Sequence, residues 1–151
     1  MELLRVLFVC TGNICRSPMA EGLARHHAIA QGIPLSCASA GVGARDGLPA
    51  SENGVQALRA KDIDISAHRS QRIGGAQIDW ADLIVAMEEE HRLAVREIPE
   101  STGKSVVLLS EWAGERPLGP GIADPIGGSP AEYARTADEI EGYIKRALAR
   151  L

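Results

Sequence analysis

The sequence predicts an α/β domain with a four-stranded, mostly parallel sheet flanked by helices on both faces. Three observations predict it. Short apolar, β-branched runs alternate with helical segments along the chain, the pattern of repeated strand–helix units. The first run, Arg5 to Cys10, is almost wholly apolar, as expected of a parallel strand buried on both faces. A turn-rich loop then separates that run from Ser17-Pro18, which reads as a helix cap and first helical residue.

Taken in order, Ser17-Pro18 opens a helix that runs to about Gln31 and stops at Gly32. Leu35 to Ala38 is a second strand ending at Ser39-Ala40-Gly41, and a loop rich in Gly and Pro leads to a helix from about Ser51 to Ala60. Asp82 to Met87 is the third strand. A charged helix follows from Glu88 to about Glu97, and its Glu88-Glu89-Glu90 start reads as a solvated face favoured by the helix dipole. Val106 to Leu109 is the fourth strand. Residues 113–128 read as loop, with prolines at 117, 120 and 125 and glycines at 114, 119, 121, 127 and 128. Ser129-Pro130-Ala131-Glu132 is a capping box that starts a final amphipathic helix, with Ala134, Ala137, Ile140, Ile144 and Leu148 along one stripe. There is no internal repeat and no linker, so residues 1–151 read as a single domain.

Composition narrows the function classes. Hydrophobic residues make up 45% and charged residues 24%, ordinary for a globular domain, and the five aromatics (Phe8, Trp80, Trp112, Tyr133, Tyr143) leave a mostly aliphatic core. The formal charge of −4, with acids and bases mixed along the chain, argues against a nucleic-acid partner. No apolar run approaches the roughly 20 residues that span a bilayer, so no membrane partner is expected. The opening residues lack a signal-peptide layout. Three cysteines, Cys10, Cys15 and Cys37, are a poor disulfide framework, and a reducing cytoplasm is the expected compartment.

The chemistry is concentrated in Cys10-Thr11-Gly12-Asn13-Ile14-Cys15-Arg16-Ser17. In an open parallel sheet, ligands bind beyond the carboxyl ends of the strands, where loops meet helix N-termini. A loop of this length can curl until successive N–H groups point inward as an anion nest, and Gly12 and Asn13 tolerate the left-handed dihedrals that the curl needs. Nest and helix dipole favour a Cys10 thiolate, the nucleophilic form. Arg16 can grip two phosphate oxygens with its planar fork, and Ser17 can donate to the sulfur. The bland alternative is a Cys that merely packs at a strand end. The order strand, glycine-containing loop, Arg, Ser-Pro and helix weighs against it.

The stretch Val9 to Glu21 resembles the signature of the low-molecular-weight protein tyrosine phosphatases. Ser39-Ala40-Gly41, the His68 region, the Asp82–Met87 strand and Asp124-Pro125 occur in that family's order, so the resemblance covers nearly the whole chain. It implies a cofactor-free, metal-free, two-step mechanism. Cys10 attacks phosphorus to give a thiophosphate, and Arg16 with the amides of residues 11–17 (Thr11, Gly12, Asn13, Ile14, Cys15, Arg16, Ser17) holds the phosphate oxygens. Asp124 serves as acid and then as base. Asn13, Ser17, Ser39 and His68 match family positions that fix the loop's shape. Taken alone, Asp124-Pro125 reads equally well as a turn and His68 as a surface histidine. Cys10 and Cys15 have poor zinc-ligand spacing, and the resemblance implies instead a reversible disulfide in which Cys15 is the redox partner. Cys37, Trp80 and Trp112 read as packing residues.

Two features point to different substrates. Ile14 is usual in the tyrosine phosphatases, where it gives the pocket an apolar wall for an aromatic ring, whereas the protein-arginine phosphatase branch carries Thr there. The acid loop, Asp124-Pro125-Ile126-Gly127-Gly128-Ser129, lacks the aromatics that tyrosine phosphatases place after Asp-Pro, and its Gly-Gly-Ser ending resembles the arginine branch, although that branch too tends to have an aromatic where Ile126 stands. Phosphotyrosine in a protein partner is the expected substrate because Ile14 lines the phosphate pocket itself, with Ile126 shaping the mouth and phosphoarginine as the alternative. Arsenate reduction lacks the further downstream cysteines it needs. A non-catalytic phosphopeptide-binding module would have lost Cys, Arg or Asp, and all three are present. Arg45, Asp46 and Leu48 fall where the family borders the site mouth. The protein is expected to be a monomer or weak dimer.

Overall fold

A computed structural model describes residues 2–115 and 121–151; Pro117, Gly119 and Pro120 of the anticipated loop lie outside the described residues. Four strands, β1 (Leu4–Cys10), β2 (Leu35–Gly41), β3 (Leu83–Ala86) and β4 (Ser105–Leu108), form one sheet in the order β2-β1-β3-β4. All three pairings are parallel, with Cys10 opposite Gly41, Val9 opposite Ala86 and Ala86 opposite Leu108. The chain leaves β1 toward one edge and returns past it to build the other. This reversal of strand order beside β1 is the place where a crevice opens in doubly wound sheets.

Alternate β1 side chains enter two different cores, which is why the run is apolar without interruption. Val6, Phe8 and Cys10 pack with α1 (Arg16–Gln31), α2 (Glu52–Arg59) and α6 (Pro130–Ala149). Leu7 and Val9 pack on the opposite face with Ile78 of α3 (Gly75–Trp80) and Val95 of α4 (Glu89–Arg96). The sheet is thus covered on both sides, as anticipated.

The differences from the sequence reading are local. α3 and the four-residue α5 (Leu109–Trp112) escape it because neither is long enough to carry a helical period. α1 begins at Arg16, capped by Cys15, so Ser17 is inside the helix rather than its cap. The far end behaves as read, with Gly32 left-handed at φ 68°. At α6, Ser129 Oγ accepts from the Glu132 amide at 3.2 Å, but the buried stripe starts at Tyr133, and Ala134 is exposed. A phenol ring reaches the core from a position where a methyl group cannot.

Candidate active site

The loop from Cys10 to Arg16 turns its carbonyls outward. Val42 N–H donates to Cys10 O at 3.0 Å, Gly43 N–H to Thr11 O at 2.9 Å and Ser51 N–H to Ile14 O at 2.8 Å. His68 Nε2 lies 2.7 Å from Asn13 O, and since a carbonyl only accepts, that nitrogen carries the proton. Among the described residues, no amide from Thr11 to Arg16 donates to a backbone acceptor outside regular structure. Carbonyls held from outside and amides left without backbone acceptors fit the anion nest that this spacing suggests.

Asn13 is the keystone of the curl. Its backbone is left-handed at φ 55°, a conformation that costs a non-glycine residue about 1 kcal/mol and that Asn bears best. Its side chain offsets that cost by making three hydrogen bonds. Nδ2 donates to Ser17 Oγ at 2.8 Å and to Ser39 Oγ at 3.0 Å, and Oδ1 accepts from the Gln71 amide at 2.9 Å. Ser39 passes its own proton to Glu21 Oε1 at 2.6 Å. Ser17 Oγ accepts from Asn13 and lies 2.9 Å from Cys10 Sγ, with its own proton free to donate to a thiolate there. Donation therefore runs outward from Asn13 in two directions, through Ser39 to Glu21 and through Ser17 to the sulfur of Cys10.

Arg16 is buried, 2% exposed, which for a permanent charge demands partners. Nη1 donates to the Glu88 carboxylate and to Ile122 O at 2.8 Å. Nη2 approaches Thr11 Oγ1 and Asp124 Oδ2, each at 3.5 Å. Among the described residues, Nε is buried without a partner. An orphaned, charged donor beside loop amides left without backbone acceptors has the chemistry of an oxyanion site. Glu88 is thus no mere solvated helix start, as its acidic neighbours implied. Only Glu89 and Glu90 are exposed, while Glu88 steadies the guanidinium from across the crevice.

The other anticipated residues surround this centre. Asp124, just over a third exposed, accepts the Ile126 amide on Oδ1 at 3.1 Å and turns Oδ2 to Arg16. Ile126 is 59% exposed. Ile14 is half-buried and shares an apolar groove with Leu48, Pro49 and Val55. Cys15 is buried, with Sγ 3.3 Å from the Tyr133 hydroxyl, and burial pushes its thiol pKa up. Cys10, Cys15 and Cys37 are all free thiols. Burial also pushes the Cys37 thiol up to about 12, which fits an inert packing residue.

Sequence reasoning missed three participants besides Glu88. His91 is buried against Thr11, Gln71 supplies the amide that orients Asn13, and Gly41 lets the loop lie on β2. Each acts through a partner distant along the chain. One signal was available, since Gly41 ends a strand at the crevice, where close backbone approach calls for glycine. Glu88, Glu90 and His91 offer ligand atoms within 4.8 Å of one another. Both His91 nitrogens are already engaged, however, by the Glu88 amide and Thr11 Oγ1, so the cluster is committed to hydrogen bonding.

The fold and site define a class: a doubly wound α/β protein with a Cys-x5-Arg oxyanion loop between its first strand and first helix. Residues 5–151 match the family model "Low molecular weight phosphotyrosine protein phosphatase", and the chain belongs to that family. It is 38% identical to a protein-arginine-phosphatase of Geobacillus stearothermophilus over 148 residues, 97% of this chain and 95% of that one. It is 43% identical to EpsP, a probable low molecular weight protein-tyrosine-phosphatase of Ralstonia nicotianae, over 108 residues, 70% of each chain. The crystal structure of a low molecular weight protein tyrosine phosphatase from T. tengcongensis superimposes with a TM-score of 0.91 at 39% identity, covering 98% of this chain and 99% of that one. Among the described residues, no helix is long and apolar enough to cross a membrane.

Proposed function

We propose that the chain is a cysteine-dependent phosphatase that hydrolyses phosphotyrosine in proteins through a thiophosphate intermediate. The observation that carries this reading is the buried Arg16, whose Nε has no partner among the described residues, at the end of a loop from Cys10 whose amides are left without backbone acceptors. Cys10 Sγ attacks phosphorus in line with the ester bond. The S–P bond forms, the P–O bond breaks, and Asp124 gives its proton to the departing oxygen. Water then attacks the thiophosphate, its proton passes to Asp124, and the S–P electrons return to the sulfur, where the Ser17 hydroxyl meets them. Arg16 and the amides of residues 11–17 hold the equatorial oxygens throughout. Asn13, Ser39 and His68 hold the loop in shape. No metal or cofactor is needed, and the protein acts as a single catalytic domain, monomeric or weakly dimeric, in the cytoplasm. Cys10→Ser is expected to abolish hydrolysis of p-nitrophenyl phosphate while retaining binding of inorganic phosphate; equal rates in the two proteins would remove catalysis from the account.

Phosphotyrosine is favoured by Ile14, which offers a ring an apolar wall. Phosphoarginine is the second reading, and one observation weighs against a stacked tyrosine ring: none of the five aromatic side chains lines the mouth. Phe8 packs against Trp112 in a tilted pair with centroids 6.0 Å apart, Tyr133 is buried, Trp80 and Tyr143 pack against the two cores, and the exposed apolar residues Leu48 and Ile126 are aliphatic. Turnover of matched phosphotyrosine and phosphoarginine peptides decides between them, and a large preference for phosphoarginine overturns the first. Cys15 is the redox partner of Cys10, forming a disulfide that shelters the nucleophile. Peroxide is expected to inactivate the enzyme and thiol to restore it. Equal recovery in Cys15→Ser would remove that role.

A further inference from the structure

Glu88 precedes α4, and its backbone N–H donates to His91 Nδ1 at 3.0 Å. A ring nitrogen that accepts an N–H carries no proton of its own, so the neutral imidazole must hold its proton on Nε2. Nε2 lies 2.9 Å from Thr11 Oγ1, which makes His91 the donor and Thr11 the acceptor. The ring is completely buried. Arg16 faces it from α1, Glu88 and Glu90 from its own segment (Glu90 Oε1 at 3.7 Å), and Asp124 from the loop before α6. Burial, helped by the Arg16 charge, pushes its pKa down to about 4, so the ring is neutral at physiological pH.

Thr11 Oγ1 also faces Arg16 Nη2 at 3.5 Å. With donors on both sides, the hydroxyl is left to give its own proton, and Thr11 is exposed at the loop that holds Arg16. We propose that His91 is a positioning residue that fixes the Thr11 hydroxyl as a further donor to the bound phosphoryl oxygens. The proposal rests on the phosphatase reading and adds a side-chain donor to the backbone amides.

The test uses the intact protein. Thr11→Val is expected to lower kcat/KM for p-nitrophenyl phosphate on the order of 10- to 100-fold, the usual worth of a hydrogen bond to a charged group, and to weaken inhibition by inorganic phosphate in parallel. Thr11→Ser should retain most of the activity. His91→Ala should share the Thr11→Val defect, and His91→Gln, which can still accept one hydrogen bond and donate another, should recover much of it. The double variant Thr11→Val/His91→Ala should fall no lower than the worse single variant, because both changes remove one donor. Losses that multiply, or a Thr11→Val enzyme with wild-type kinetics, overturn the proposal. If His91→Ala does not fold, the wild-type imidazole nitrogen NMR spectrum still decides, since a proton on Nδ1 contradicts it. If the wild type hydrolyses no phosphoester but Thr11→Val still weakens phosphate binding, the phosphatase reading fails and the donor assignment stands.

Discussion

A Cβ placed on Gly41 would lie 2.5 Å from Thr11 O and 2.9 Å from Asn13 N, both backbone atoms of the oxyanion loop. Neither can swing aside like a flexible side chain, so the loop itself would have to move. Gly41→Ala is therefore expected to cost about 1–3 kcal/mol by overpacking, read as a lower urea midpoint, and to weaken phosphate binding as well. Unchanged phosphate binding would mean that the loop does not rest on β2. The same residue illustrates what the sequence could reveal. Cys10 and Arg16 were legible because one short loop carries both and chain order alone places them together. Glu88 reaches Arg16 across 72 positions, and Asn13 meets Ser39 across 26 and the Gln71 amide across 58. Ser39 could be named only from the family's pattern, and Glu88 was misjudged, because local propensity explains an acidic helix start without reference to what it faces.

Secondary structure elements were legible where their periods are long. α1 and α6, with 16 and 20 residues, announced themselves by cap and stripe, whereas α3, with six, offers no repeat to count. α6 has a particular duty. Its first turn receives the acid loop, and Asn53 of α2 donates to Gly128 O at 3.3 Å to hold the junction. Ser129 satisfies the Glu132 amide there. Ser129→Ala removes that cap and should cost about 1 kcal/mol, a fall in Tm of about 2–4 °C for a chain of this size. Because Ser129 lies outside the phosphate loop, inhibition by phosphate should stay at the wild-type level. A loss of phosphate affinity matching the loss of stability would mean that the cap supports the oxyanion loop rather than only the helix.

At the scale of the whole molecule, two cores back to back on one sheet bring helix starts from opposite faces to a single crevice beside β1. That convergence is why α4, which packs on the face opposite α1, can place Glu88 and His91 against Arg16 and Thr11. It also ties the stability of the fold to pH through His91. The folded protein holds this pKa at about 4, below the ordinary 6.5, chiefly by burial. Above about pH 6.5 neither folded nor unfolded chains carry a proton here, and the full stability is present. As pH falls from about 6.5 toward 4, the unfolded chain takes up a proton that the native ring refuses, so unfolding is progressively favoured. Below about pH 4 both states are protonated, and the dependence ends. The loss across that window is on the order of 3 kcal/mol. Carboxylates titrate in the same range, so the useful quantity is the stability of wild type minus that of His91→Gln, in which they largely cancel. Measured by urea unfolding at about pH 7.5 and about pH 4.5, that difference should shrink by most of this amount. A difference that stays constant would mean that the ring is protonated in the folded protein as readily as in the unfolded chain, which its bond from the Glu88 amide forbids.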